Sequence, residues 1–279
     1  MQGSPLLKNS PLDYFSIHPM RSARGKEISL TAVSDKGAAL DLQPFFTRKG
    51  LTEKPVLSLA GLKSLIKLCE KRIVMNNTVY KKCADELFAR LMLGLKNPDG
   101  SLHPQSFLCC LGSLCGYACK CDVIDEYVRG KGLAVSDVFD VIPSKSGEKF
   151  YFSELTDDKL AGDDHSLWTY VSAVLVKAEA QAPDVSEIFE HAVKSCGSAE
   201  FGKVRGCETG ESIPDYVKLM WKPAHDIIKE CPAGTMYACV AMAAQKAMMA
   251  FRNVLSLTEQ ARIILESAAV AVHLSLADK

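Results

Sequence analysis

The stretch from Phe107 to Cys121 constrains the fold more than any other part of the chain. Phe107, Leu108, Leu111, Leu114, Cys115 and Ala118 recur at helical spacing and form one apolar stripe, while Cys109, Gly112, Ser113 and Gly116 form a second stripe of small side chains. A helix with one bulky face and one flat face must be covered on both, so it is expected between two neighbours. Gly112 and Gly116, four residues apart, let a second backbone come close on the flat face. Pro104 opens this helix at its first position, where a missing N–H costs nothing.

The same stretch holds Cys109, Cys110, Cys115, Cys119 and Cys121, five of the chain's eleven cysteines. Zinc sites are usually built from two such ligand pairs, and redox centres favour C-x-x-C. No C-x-x-C occurs, and only Cys115 and Cys119 would share a helical face. One pair is too few for a metal, so these cysteines are expected to be small buried hydrophobes, with no metal and no cofactor. An odd number of cysteines within apolar stripes fits a reducing compartment better than a disulfide framework, and no apolar run in residues 1–50 resembles a secretory signal. The cytoplasm is the expected location.

A formal net charge of +0 without any run of Lys and Arg excludes an electrostatic nucleic-acid binder. The most apolar segment, Met236–Phe251, approaches membrane-spanning length but carries Gln245 and Lys246 in its body, so no membrane span is expected. Apolar nearly all round, it is expected as the central helix of the core.

The fold class expected is mainly α, a multi-helix bundle-like domain with one β-hairpin at about 138–154 and an irregular N-terminal arm over 1–54. Ser-Pro, His-Pro and Gln-Pro steps punctuate the arm. The helical domain spans 55–279, with subdomains 55–135 and 164–279 joined by the hairpin segment. Leu62, Leu65, Ile66, Cys69 and Ile73, then Tyr80, Cys83, Leu87, Leu91 and Leu95, predict a first helix pair. Asp122 is expected to cap a short segment ending near Gly130. Val138–Ile142 and Lys149–Phe152 predict the hairpin as the one substantial β element. Asp164 is expected to cap a helix through Ala182; further helices run from Ser186 to Cys196, from Ser212 with a kink at Pro223, after Pro232, and from Ser256, where Glu259 completes a capping box.

Function is less legible. The six histidines are scattered, and neither H-E-x-x-H nor G-x-S-x-G is present. Glu187 and His191 share a helical face as a surface ion pair. The long irregular segment Gly197–Glu211 has four glycines at spacings that match neither a phosphate loop nor a dinucleotide fingerprint, which predicts a flexible, solvated loop able to act as a lid. The candidate ligand-binding residues are His165, Trp168, Arg205, Cys207 and His225; no catalytic residue is assigned. These features point to an interaction or small-ligand-binding module, whose partner is a second copy in a homodimer, another protein or a small molecule. The alternative is an enzyme of unassigned reaction with its pocket under the 197–211 loop.

Overall fold

The computed structural model describes residues 78–145, 147–162 and 166–275, together with the backbone of three strands between residues 15 and 41. The chain divides into two units, Met1–Leu68 and Cys69–Lys279.

In the first unit β1 (Phe15–Arg21), β2 (Ile28–Ser34) and β3 (Ala39–Asp41) form an antiparallel sheet in that order. Phe15 pairs with Ser34, Arg21 with Ile28, and Thr31 with Asp41. This corrects two expectations: part of the arm is regular, and the hairpin is not the one β element. Phe15 and Ile17, like Ile28 and Leu30, alternate at period two, but Pro19 obscured that signal. Pro19 lies on an edge strand, where its missing donor is tolerated. The rest of the 1–54 arm and the helix expected around Leu62–Ile73 lie outside the described residues.

The second unit is mainly helical, with one two-stranded hairpin. Its described elements are α1 (78–94), α2 (Pro104–Val123), α3 (Val135–Val138), β4 (Asp140–Pro143), β5 (Lys149–Phe152), α4 (Glu154–Asp157), α5 (Leu167–Lys177), α6 (Val185–Ser195), α7 (Ile213–Ile228), α8 (Met236–Phe251) and α9 (Leu257–Ala271). Two π-helical turns, Ile124–Arg129 and Asp158–Gly162, extend α2 and α4.

Helix α2 is the axis of the core, buried at every residue from Phe107 to Lys120. Its flat face meets α9. A Cβ added at Gly116 would clash with the Ala268 carbonyl oxygen and lie 2.8 Å from Ala268 Cα, and one at Gly112 would lie 2.8 Å from Ser267 Cβ. On the bulky side Phe107 packs edge-on against Phe88 of α1 at 5.6 Å and Phe251 of α8 at 5.4 Å. Tyr117 packs edge-on against Trp221 of α7 at 4.8 Å. The expectation that Met236–Phe251 is central is therefore corrected: α8 leaves Lys246 and Met249 at the surface, and α2 takes the centre. Pro104–Arg129 is long and apolar enough to cross a bilayer, but 94% of its apolar window is buried within the protein, as in a core helix.

Helix ends follow local chemistry. His103 Nδ1 accepts the Ser106 N–H and starts α2. At the other end Asp122 does not cap the next segment, because α2 runs on into its π turn; the carboxylate instead accepts the Tyr237 N–H at 2.9 Å and caps α8. Ser166 caps α5, which ends at Lys177, short of Ala182, where Glu179 takes φ +54°. Asp164 lies outside the described residues. Asp184, Ser212 and Ser256 cap α6, α7 and α9. Glu259 does not complete its capping box, because both carboxylate oxygens bond Arg262.

The hairpin packs on the helices rather than projecting. Phe150 is buried against Phe201 at 4.9 Å, and the Tyr151 N–H donates to His273 O at 3.2 Å. The ten described cysteines are all free, and Cys109, Cys110, Cys115 and Cys119 are buried among the α2 contacts.

The α2–α9 contact sets a clear expectation for mutants. Gly116→Ala drives a methyl into the α9 backbone and should lower unfolding stability by about 2–3 kcal/mol or more. Gly94→Ala, whose added carbon would meet only Met220 Cε at 4.0 Å, should be neutral or stabilising by up to about 1 kcal/mol. Urea titration of both variants checks the pair; equal effects would mean that the backbones are not in contact.

Candidate functional site

The 197–211 loop is solvated along its outer side but anchored to the helices at several points. Val204 is buried, Phe201 is held against Phe150, Ile213 N–H donates to Gly202 O at 2.8 Å, and Gly210 N–H donates to Ser106 Oγ at 2.9 Å. The main tie is Glu266 of α9, a fully buried carboxylate. It accepts from the Arg205 backbone at 3.2 Å, from Arg205 Nε at 2.8 Å and from Arg262 Nη1 at 2.7 Å. Arg205 also donates to Glu187 at 2.6 Å, and His191 Nε2 stands 3.7 Å from Glu266. Glu187 and His191 thus serve Arg205 and Glu266 rather than each other.

Of the residues singled out from sequence, the structure brings Arg205 and Cys207 together. Cys207 Sγ lies 3.3 Å from Arg262 Nη2 and 3.5 Å from Glu259 Oε1. Burial holds its thiol above the ordinary value despite Arg262, while the Arg262 bonds hold Glu259 below the usual carboxylate range. Cys207 is therefore a neutral thiol near pH 7, not an activated nucleophile. His225 is elsewhere, stacked on Trp221 at 5.4 Å as a half-buried pair. Trp168 is half-buried on α5 and packs against the core, and His165 lies outside the described residues. An open cavity of about 510 Å³ lies beside the loop, bordered by His191, Lys203, Arg205 and Cys207. The one arginine that borders it, Arg205, is paired with Glu187 and Glu266, and neighbouring Arg262 is paired with Glu259 and Glu266.

Two charged side chains of α2 are buried, Lys120 and Asp122, the second in a role other than the cap expected of it. Lys120 is fully buried; its Nζ donates to Leu274 O beyond the end of α9 and lies 3.8 Å from the Tyr151 ring centroid, with Phe139 at 5.9 Å. Burial pulls its ammonium down to about 7, and burial with nearby Lys120 also lowers His273. The ring face and the carbonyl oppose that pull by favouring the cation. On the other side of the helix Asp122 has one oxygen on α8 and one, Oδ1, without a hydrogen-bond partner. Burial raises it to about 6 against the α8 N–H groups and Lys159. Lys159 donates to Gly234 O at 2.9 Å and lies over the Tyr237 ring at 4.8 Å. The signal that marks Lys120, Asp122 and Glu266 is a lone charge inside an otherwise apolar helical stripe. Among the described residues no group of three metal-ligating side chains converges.

A third feature is an apolar groove of about 600 Å³ between α1 and α5, floored by α8. Met242 and Met249 form its floor, and Ala84, Ala173 and Val174 its walls. Two polar ties hold the walls to the floor: Gln245 Nε2 donates to Tyr170 O at 2.7 Å, and Lys246 pairs with Asp85. Lys81 and Lys177 stand on opposite walls and have no ion-pair partner among the described residues.

The buried charges yield two expectations. Lys120 has a folded pKa of about 7 against 10.5 when exposed, so below pH 7 both states carry the proton and the folded state bears the full burial penalty. Between pH 7 and 10.5 the unfolded chain binds the extra proton, and stability from this residue rises with pH until the penalty is gone. Lys120→Met should therefore stabilise the protein most at and below pH 7, by roughly 2–4 kcal/mol less the ~1 kcal/mol of the lost Leu274 bond. That advantage should shrink as pH approaches 10; chemical denaturation at pH 6, 8 and 10 checks it, and a constant difference contradicts it. Glu266→Gln keeps the side-chain shape but removes the charge holding Arg205. Tryptic cleavage after Lys203 and Arg205, slow in the native chain, should accelerate at least about tenfold. An unchanged rate would show that the loop is held by its apolar contacts alone.

Comparison of the chain with protein-family models, curated proteins and solved structures finds no match in any of the three.

Proposed function

We propose that the helical unit is an interaction module that receives an apolar partner segment in the groove between α1, α5 and α8. The observation that carries this proposal is the methionine floor. Met242 and Met249 border about 600 Å³ of open apolar space, and Met249 is 40% exposed. Methionine adapts its shape to varied partners, which suits a binding surface better than a fixed catalytic pocket. The enzyme alternative has less support, because Arg205 is committed to two glutamates and Cys207 keeps its proton. Lys120 and Asp122, whose titration is shifted by burial, are enclosed in the core. Free thiols are compatible with a reducing compartment, and we place the protein in the cytoplasm on that ground. Val141 and Ile142, exposed on β4, provide a smaller apolar edge through which two copies would pair as a homodimer.

The groove proposal is tested with the full chain carrying methyl-labelled methionine, titrated with an uncharged amphipathic helical peptide bearing Leu at i, i+3, i+4 and i+7. The Met242 and Met249 methyl resonances should shift, whereas those of buried Met236 and Met248 should stay in place. Met249→Glu should weaken binding at least about tenfold, since it sets a charge on the apolar floor. Shifts confined to other methionines, or none, would remove the groove from consideration.

A further inference from the structure

We infer that the groove's partner is an acidic amphipathic helix, with its apolar stripe on the methionine floor and its carboxylates on the two walls. This rests on the groove being the binding surface and adds the chemistry of what it binds.

The helical form follows from what the groove lacks. All its lining residues come from α1, α5 and α8, whose backbone N–H and C=O groups are used within those helices. Among the described residues no strand edge borders it, so an extended peptide would lose water from its backbone without gaining ladder bonds. A helix satisfies its own backbone and presents only side chains. Apolar groups at i, i+3, i+4 and i+7 lie along one side of such a helix and match a floor whose Met242 and Met249 are seven residues apart on α8.

The sign of charge follows from the rim. Lys246 is committed, paired with Asp85 and lying over the Phe88 ring at 5.4 Å. Lys81 and Lys177, one on each wall, have no ion-pair partner among the described residues. A partner helix with Glu or Asp beside its apolar stripe would meet a lysine on either side, whereas a basic one would be repelled by both. The chain's own sequence preceding α1 is of the wrong sign: residues 61–73 carry Lys63, Lys67, Lys71 and Arg72 against the single acid Glu70. Charge complementarity thus favours a separate acidic partner over that segment.

Two fluorescein-labelled peptides of one apolar stripe, flanked by Glu in the first and by Lys in the second, are titrated into the full chain by fluorescence anisotropy. The Glu peptide should bind at least about tenfold tighter at low salt, and the gap should narrow to under about threefold near 0.5 M salt, where surface charges are screened. Lys81→Glu with Lys177→Glu, both surface changes, should invert the preference. Equal binding of both peptides, abolished by Met249→Glu, would keep the groove and overturn the acidic partner. Binding of neither peptide, with no methionine methyl shifts, would overturn the groove itself. Self-association at micromolar concentration that Met249→Glu abolishes would identify a second copy as the occupant and equally overturn the acidic helix.

Discussion

The helical unit depends on one backbone contact, that of α2 with α9 at Gly112 and Gly116. With no side chain between them, the Gly116 and Ala268 backbones fix the separation of the two helices, and every flanking residue must be small. Ser113 and Ser267 meet that requirement while silencing their hydroxyls. Each donates at 2.7 Å to a carbonyl one turn back on its own helix, to Cys109 O and Ile263 O respectively. The interface therefore holds polar atoms without needing a partner across it. With one side of α9 fixed in this way, the other turns Glu259, Arg262 and Glu266 toward the 197–211 loop. A single pair of glycines thus determines which residues can clamp that loop.

This contact was legible in the sequence because a repeat of small residues at i and i+4 has few other uses in an apolar helix. The stripes of α2, the hairpin and the caps at Ser212 and Ser256 were legible for the same reason: each is a local pattern with a local cause. What failed needed tertiary information. Met236–Phe251 looked central because its composition is apolar, but Gln245 and Lys246 mark an outward face that composition averages away. Asp122 looked like a cap for the residues after it, yet its partner is Tyr237, more than a hundred residues later. The loop's glycines suggested mobility, and the sequence could not show that Arg205 would find Glu266. The groove was illegible altogether, since it arises from three helices none of which records the spacing of the others.

Buried charge is distributed in two ways, with different energetic consequences. Glu266 is matched by two guanidinium groups that reach solvent on their far side, so its desolvation is offset by charge-assisted bonds. Lys120 has one carbonyl and an aromatic face, and Asp122 leaves an oxygen bare; neither faces an opposite charge within ion-pair distance among the described residues. Such groups weaken the fold relative to apolar replacements of similar volume, and what they supply is geometry. Lys120 joins α2 to the chain beyond α9, with β5 folded over it through Tyr151; Asp122 orients α8. Each acts as a positioning device whose strength varies with its protonation.

That distribution also bears on where binding energy is available. A ligand entering the loop cavity must compete with Glu187, Glu259 and Glu266 for the arginines, so any gain in pairing is cancelled by the pairs it breaks. In the groove the balance differs. The polar ties of Gln245 and Lys246 are internal to the scaffold and remain intact, the methionine floor gives up only water, and Lys81 and Lys177 have no ion-pair partner among the described residues to lose. Binding there adds apolar burial and two charge contacts without dismantling anything. The loop is thus a clasp that consumes its own chemistry, and the groove is the surface whose chemistry is still open to a partner.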